Sequence, residues 1–411
     1  MHKQGALARA ITLAVLGACS LALESAVGAS ATGRAVLTIT PGDVLIDQPV
    51  TITVSGLRPR SMVTLTATTR SAPGNLWKAT GTFRADTKGK VVVSRSPSLA
   101  GSYRGRDGMG LFWSMRWNSC QVCGMGPAPV STVRIAANQG ARTLATASFT
   151  RRTQTADVTV RTTTLAAEGF VSCFYSPPAE TTRPGAAILL LGGSSGGSQC
   201  GFRASLLASR GYPTLALAYF GAPGLPSELK NIPLEYFQSA LGWLAQQPGV
   251  DPDKLVVFGI SRGGECALLL GSVYPELIHG VVSYVGSSVA GLSYPSGDTA
   301  AWTLAGKPVP YTDPENVIPV ERIAGPIFLV AGVDDLVWPS AIYASQIVER
   351  LRQHQRNDYT SRVYERAGHL VGAAVPYVPL IDPSLGGTAA ADAHARADSW
   401  PKLLAYLERL R

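Results

Sequence analysis

The chain is poor in charge, in histidine and in long apolar runs. Only 15% of its 411 residues are charged and 46% are hydrophobic, so it can bury a core and is not a disordered polymer. No apolar run reaches the ~20 residues of a membrane span. The net charge is +9, but the Lys and Arg residues are scattered, with no run longer than Arg151-Arg152. We therefore interpret the charge as a solubility feature and expect no nucleic-acid partner.

The first 29 residues have the features of a bacterial export signal. Lys3 and Arg9 precede the short apolar stretch Ile11–Ala18, and small residues follow. Within it, Leu16-Gly17-Ala18-Cys19 resembles a lipobox, in which Cys19 would carry a lipid and anchor the protein to a membrane. The pattern predicts an exported protein, which is periplasmic, secreted or a lipoprotein. The alternative is the N-terminus of a cytoplasmic enzyme.

The remaining cysteines suit an oxidising compartment. Cys120 and Cys123 form a C-x-x-C without a second pair at metal spacing, which argues against a zinc site and favours a local disulfide. Cys173 and Cys200 are a second candidate pair. Cys266 lies in an apolar helical segment, so we expect a buried free thiol.

Two parts of the chain differ in their periodicity. Residues 30–155 alternate short β-rich runs with turn signals, which indicates an all-β sandwich. In residues 166–411, continuous apolar runs such as Ala187–Leu191 and Leu255–Phe258 alternate with helical segments. That alternation predicts a mostly parallel sheet with helices on both faces. A polar stretch near residues 151–165 separates the two domains.

The second domain contains a nucleophile motif. Gly259-Ile260-Ser261-Arg262-Gly263 fits G-x-S-x-G and stands between a buried strand and a helix. In that setting the glycines permit a strained turn that lifts Ser261 clear of the sheet. A serine hydroxyl is a poor nucleophile without a base, and in this fold the acid and then the base follow the serine along the chain.

The candidate acid and base follow in that order. Asp334 and Asp335 come directly after the strand Ile327–Ala331, and His369 comes after the strand Arg362–Tyr364. The Gly-x-x-Asp spacing favours Asp335 as the acid. The alternative makes Asp334 the acid and Asp335 a cap for the next helix.

An oxyanion hole needs preorganised N–H donors. One candidate is the amide of Arg262, next to the nucleophile. The other comes from the Gly-rich loop after Ala187–Leu191, through the amide of Ser194 or of Ser195. This loop lacks the Lys and the spacing of a P-loop, so we expect no nucleotide there. A serine nucleophile with its acid and base needs no metal or organic cofactor, and we expect none.

Motifs in both domains resemble those of one enzyme family, the type I acyl-CoA thioesterases and bile acid-CoA:amino acid N-acyltransferases. The resembling segments are Asp47–Ile52, Phe83–Thr87, Met109–Trp113, Arg203–Leu207, Leu217–Tyr219, Leu234–Phe237, Gly259–Glu265, Ile318–Arg322, Gly332–Asp335 and Gly368-His369. The resemblance implies a β-sandwich followed by an α/β-hydrolase domain, with Ser261, Asp335 and His369 as the catalytic triad. In this family the thioesterases carry Ser at the nucleophile position and the acyltransferases carry Cys. Ser261 therefore implies hydrolysis of a fatty acyl thioester such as acyl-CoA.

The chain also departs from the family. This chain has an export signal and the Cys120–Cys123 insertion, which depart from the family pattern, and the sequence of its oxyanion loop also differs from that of the family. Because acyl-CoA is chiefly intracellular, the signal keeps open an exported carboxylesterase or lipase-like enzyme that cleaves oxyesters. An acyltransferase and a catalytically silent binding protein are further alternatives. In the enzymatic interpretations the partner is a small-molecule acyl thioester or ester.

Overall fold

The computed structural model describes residues 34–411 except 72–73, 125, 182–184, 197–199 and 314. The predicted export signal and Cys19 lie outside the described residues. Within the described ranges, no helix has the length and apolarity needed to cross a bilayer.

The N-terminal part folds into two packed β-sheets, as the sandwich prediction required. Successive residues of a strand point to opposite faces, and Met62–Arg70 accordingly buries every second side chain. The strands are β1 Val36–Thr40, β2 Asp43–Leu45, β3 Thr51–Ser55, β4 Met62–Arg70, β5 Leu76–Arg84, β6 Val91–Val92, β7 Ala100–Gly101, β8 Cys123–Gly124, β9 Val130–Gln139 and β10 Arg142–Arg152. One sheet has the order β1-β3-β6 and the other β2-β10-β9-β4-β5-β7.

The segment between β6 and β9, which contains the Cys120–Cys123 insertion, has a partly regular structure. It contains β7, β8 and the short helix α1 Gly110–Trp113, which is buried along its whole length. Its apolar side chains complete the core of the sandwich. The predicted Cys120–Cys123 disulfide closes the loop that precedes β8, with a Cα–Cα distance of 5.9 Å.

The C-terminal part is built on an eight-stranded sheet in the order β11-β12-β14-β13-β16-β17-β20-β21. Its strands are β11 Thr159–Thr163, β12 Val171–Ser176, β13 Gly185–Leu191, β14 Thr214–Ala218, β16 Val250–Ile260, β17 Gly280–Tyr284, β20 Ile327–Gly332 and β21 Tyr359–Tyr364. The first two pairings are antiparallel and all the others are parallel. Strand β11, Thr159–Thr163, therefore belongs to this sheet. The polar stretch near residues 151–165, where the sequence predicts the domain boundary, contains this strand.

Helices cover both faces of this sheet, as predicted, and each face has its own apolar core. Strand β13 is buried at every position, which is typical of a parallel strand covered on both sides. The helices are α2 Leu165–Glu168, α3 Phe202–Ala208, α4 Leu234–Ala245, α5 Arg262–Val273, α6 Ser340–Gln353 and α7 Ala389–Arg409. Short strands complete the domain: β15 Ile232–Pro233, β18 Trp302–Leu304, β19 Lys307–Pro308 and β22 Leu380–Ile381.

The two domains are joined by backbone pairing and by buried charge. Strand β22 pairs with β8 of the sandwich. The buried Asp47 of the sandwich accepts a hydrogen bond from the indole N–H of Trp400 at 2.6 Å and forms an ion pair with Arg210. Breaking a buried pair by removing one partner leaves the other charge uncompensated.

We therefore expect Asp47→Ala to destabilise the protein by about 3–5 kcal/mol. The matched control is Asp43→Ala, because Asp43 pairs with Arg152 on the surface, where both side chains are exposed. Denaturant unfolding should give a much smaller loss for the control. Equal effects of the two substitutions would contradict a structural role for the buried pair.

Candidate active site

Ser261 occupies a strained turn between β16 and α5. Its backbone has φ 57° and ψ −121°, a conformation that a residue with a side chain adopts only when its surroundings impose it. Its amide donates to the carbonyl of Tyr284 at 2.8 Å. Its own carbonyl accepts from the amides of Gly264 at 2.8 Å and Glu265 at 3.1 Å. These three hydrogen bonds fix the turn.

Two glycines allow the backbone to close on itself at this turn. A Cβ on Gly259 would lie 1.8 Å from the carbonyl oxygen of Gly263, so no side chain fits there. A Cβ on Gly263 would lie 2.3 Å from the carbonyl oxygen of Gly192, at the end of β13. The start of α5 is thus packed directly against the neighbouring strand.

The structure brings the three predicted residues together at the carboxyl edge of the sheet. The Nε2 atom of His369 lies 2.9 Å from Oγ of Ser261, and its Nδ1 atom lies 2.8 Å from Oδ2 of Asp335. A neutral imidazole fits this arrangement when Nδ1–H donates to Asp335 and Nε2 accepts from Ser261. The carboxylate of Asp335 is shielded from solvent, whereas 12% of the His369 side chain is exposed.

The structure also distinguishes the two neighbouring carboxylates. The second carboxylate oxygen of Asp335 accepts from the amides of Val337 at 2.9 Å and Trp338 at 3.3 Å, so the side chain is held at both oxygens. Asp334 is exposed. Its amide donates to the carbonyl of Ala367. Asp335, and not Asp334, therefore faces His369.

Trp338 borders the site, and no sequence motif predicted it there. Its ring packs edge-on against His369, with centroids 5.9 Å apart. Its indole N–H donates to the carbonyl of Val285 at 2.8 Å. The only signal in the sequence is an aromatic residue soon after Asp335.

The loop after β13 lies directly against the nucleophile. A Cβ on Gly193 would lie 3.0 Å from Cβ of Ser261 and 3.5 Å from its Oγ. The buried hydroxyl of Tyr219 donates to the carbonyl of Gly192 at 2.6 Å and anchors the start of the loop. Ser194 is half-buried and Ser195 is exposed. The loop that carries both candidate donors therefore begins in contact with Ser261.

The predicted Cys173–Cys200 disulfide ties the far end of this loop to β12, with a Cα–Cα distance of 5.4 Å. Residues 197–199 of the loop lie outside the described residues. Cys266 is a buried free thiol, as predicted. Burial raises its pKa well above the usual range, so it is not primed as a nucleophile.

A buried charge pair braces the first turn of α5. The guanidinium of Arg262 lies 3.0 Å from the carboxylate of Glu265 and also donates to the carbonyl of Leu292. Glu265 in turn accepts from the amide of Gly291 at 2.8 Å and from the indole of Trp302. Burial raises the pKa of Glu265, while Arg262 opposes that shift. The sequence motif predicts a role for the Arg262 amide but not for this network; the one signal for it is the charged Glu265 within an apolar helix.

The first amides of α5, including those of Arg262 and Gly263, have no partner within the helix, because the first four N–H groups of any helix lack one. The Gly193 loop lies beside Ser261 next to this helix start. A mostly parallel sheet with a Ser turn after a central strand defines the α/β-hydrolase fold. The chain has that fold.

Comparison with known families places both domains in one family. The model described as "Acyl-CoA thioester hydrolase/BAAT N-terminal region" matches residues 47–164. The model described as "BAAT / Acyl-CoA thioester hydrolase C terminal" matches residues 232–301 and 299–410. The chain belongs to this acyl-CoA thioester hydrolase/BAAT family, which confirms the resemblance noted in its motifs.

Similar proteins include acyl-coenzyme A thioesterase 2, mitochondrial, of Mus musculus, which is 30% identical over 92% of this chain and 89% of its own length. Acyl-coenzyme A thioesterase 1 of Rattus norvegicus is 30% identical over 92% of this chain and 97% of its own. Acyl-coenzyme A thioesterase 3 of Mus musculus is 32% identical over 89% and 91%. Among solved structures, a putative dienelactone hydrolase from Klebsiella pneumoniae aligns over 61% of this chain and 98% of its own, at 18% identity and a TM-score of 0.43.

Proposed function

We propose that this protein hydrolyses fatty acyl thioesters of the acyl-CoA type through Ser261, His369 and Asp335. The observation that carries the proposal is the continuous hydrogen-bonded series from Ser261 Oγ through His369 to Asp335, with distances of 2.9 and 2.8 Å. Membership of the thioester hydrolase family and the names of the relatives support the choice of substrate class.

In this mechanism Ser261 Oγ attacks the acyl carbonyl carbon while His369 Nε2 accepts its proton. Asp335 holds the imidazole in the required tautomer and stabilises the imidazolium that forms. The amide of Arg262, with that of Ser194 or Ser195, stabilises the negative charge on the carbonyl oxygen. The thiol leaves with the proton from His369, and the acyl group stays on Ser261. His369 then takes a proton from water, which attacks the acyl-enzyme; the bond between the acyl carbon and Ser261 Oγ breaks, His369 returns the proton to Oγ, and the fatty acid is released.

A serine nucleophile favours hydrolysis over acyl transfer, because the acyltransferases of this family carry Cys at the position of Ser261. An exported oxyesterase uses the same residues and is the second candidate, supported by the signal-like pattern of residues 1–29. The family membership leads us to prefer thioesters as the intrinsic substrates.

The substrate proposal predicts that kcat/KM for an acyl-CoA exceeds that for an oxyester with the same acyl chain. A strong oxyester preference would favour the second candidate.

The mechanism predicts that Ser261→Ala lowers kcat by about 10⁶, because a triad without its nucleophile has no covalent route. Ser345→Ala, which changes an exposed serine on α6, should leave kcat unchanged. Activity within tenfold of the parent in a folded Ser261→Ala protein would refute the mechanism.

Two isosteric substitutions test which aspartate is the acid of the triad. Asn at position 335 favours the wrong imidazole tautomer, so Asp335→Asn should lower kcat by up to ~10⁴. Asp334→Asn should keep substantial activity, since Asp334 is exposed and does not face His369. Steady-state kinetics on both folded variants decides between them. The reverse ranking would move the role to Asp334.

We also propose that the protein is exported, with cleavage after Ala29 or lipidation of Cys19. Fractionation of bacteria that express the full chain, followed by mass spectrometry of the N-terminus, tests this proposal. We expect a chain that begins after Ala29, or one that begins at a lipid-modified Cys19. An intact Met1 in the cytoplasmic fraction would contradict export.

A further inference from the structure

Helix α7 contacts the loop that carries the proposed general base. Asp392 lies in the first turn of this helix, which Thr388 caps, and is only 1% exposed. Its Oδ1 atom accepts a hydrogen bond from the amide of Gly368 at 2.7 Å. Gly368 is the residue before His369. A single buried carboxylate thus connects the C-terminal helix to the backbone next to the base.

The loop around Gly368 leaves no space for a side chain. A Cβ on Gly368 would lie 2.3 Å from the carbonyl group of Gly386. A Cβ on Gly386 would in turn lie 1.9 Å from the carbonyl oxygen of Asp334, next to the triad acid. The base loop, the Gly386 segment and the acid loop are therefore stacked backbone to backbone. A small displacement of Gly368 changes the position of His369 relative to Asp335.

The charges around Asp392 make its ionisation sensitive to pH. Burial raises the pKa of Asp392 to about 6, and the neighbouring carboxylates of Asp335 and Asp334 act in the same direction. The Gly368 amide and Arg396 oppose the shift. Arg396 is fully buried one turn along α7, and its two terminal nitrogens lack hydrogen-bond partners among the described residues. Arg203 is the other cation that faces Arg396.

We propose that Asp392 is a positioning residue for the general base: its carboxylate fixes the Gly368 amide and so holds His369 between Ser261 and Asp335. This inference rests on the proposed function, in which His369 is the base. A hydrogen bond to an ionised acceptor is stronger than one to a neutral acceptor. Protonation of Asp392 therefore weakens the hold on the loop.

Asp392 then adds a second protonation to the acid side of the pH–activity profile. Protonation of Asp392 lowers activity without abolishing it, so the slope of log(kcat/KM) against pH should exceed, around pH 6, the value of about 1 that a single base gives. Titration of Asp392 does not itself unfold the protein in acid. A carboxyl whose pKa is raised in the folded state gives more stability when it is protonated, so acid does not destabilise the fold through this group.

The test compares pH profiles of the full-length protein with an acyl-CoA substrate. Asp392→Asn keeps a neutral acceptor oxygen for Gly368 and cannot titrate, so it mimics the protonated residue: kcat at pH 8 should fall about 5- to 10-fold, and the acid slope should be about 1 throughout. Asp392→Ala removes the acceptor and should lower kcat about 10- to 100-fold with little change in KM. The matched control is Asp398→Asn, an exposed carboxylate on the same helix that pairs with Lys402, and its profile should equal that of the parent.

The Asn variant leaves Arg396 without its counter-charge and could fail to fold. The double variant Asp392→Asn/Arg396→Gln removes both charges and should show the same slope of about 1. A parent slope of 1, or an unchanged kcat in Asp392→Ala, would overturn the proposal. Ser261→Ala is measured in parallel. If it stays active, the proposed function fails; if it is inactive while the Asp392 variants match the parent, only the positioning role fails.

Discussion

The positive φ at Ser261 is the constraint on which the site depends. Such a backbone costs on the order of 1–3 kcal/mol and persists only where neighbouring groups impose it. Here three hydrogen bonds fix the turn, and the bare backbones of Gly259 and Gly263 let the helix start approach the adjacent strands. The turn directs Oγ of Ser261 away from the sheet to within 2.9 Å of His369. The loops after β13, β20 and β21 bring Gly193, Asp335 and His369 to this turn.

Buried carboxylates hold several of those loops. Asp335, Glu265 and Asp392 are each at most 8% exposed. Asp335 accepts from backbone amides of its own loop, whereas Glu265 and Asp392 each accept from the backbone amide of a neighbouring loop. Hydrogen bonds of this kind are strong in a region from which water is excluded. The carboxylates therefore have two tasks in the proposed enzyme. Asp335 orients the base directly, and the other two fix the backbone on which the nucleophile helix and the base loop rest.

Sequence patterns predicted the parts of the site that follow from local order. Three features could be recognised from short segments next to buried strands: the G-x-S-x-G turn, the chain order of the candidate acid and base, and the spacing that favours Asp335. The contact between Asp392 and Gly368 spans 24 residues, and that between Tyr219 and Gly192 spans 27. Nothing in the local pattern of an Ala-rich helix indicates which distant amide its aspartate meets. Such contacts are set by tertiary packing, so they became visible only in the structure.

Covalent labelling gives the sharpest test of Ser261 as the nucleophile. A fluorophosphonate reacts with a serine that an adjacent base activates, and digestion followed by mass spectrometry locates the adduct. We expect a single adduct on the peptide that contains Ser261 in the folded protein, and none after denaturation. An adduct on another residue, or no adduct on a protein that hydrolyses acyl-CoA, would contradict the mechanism.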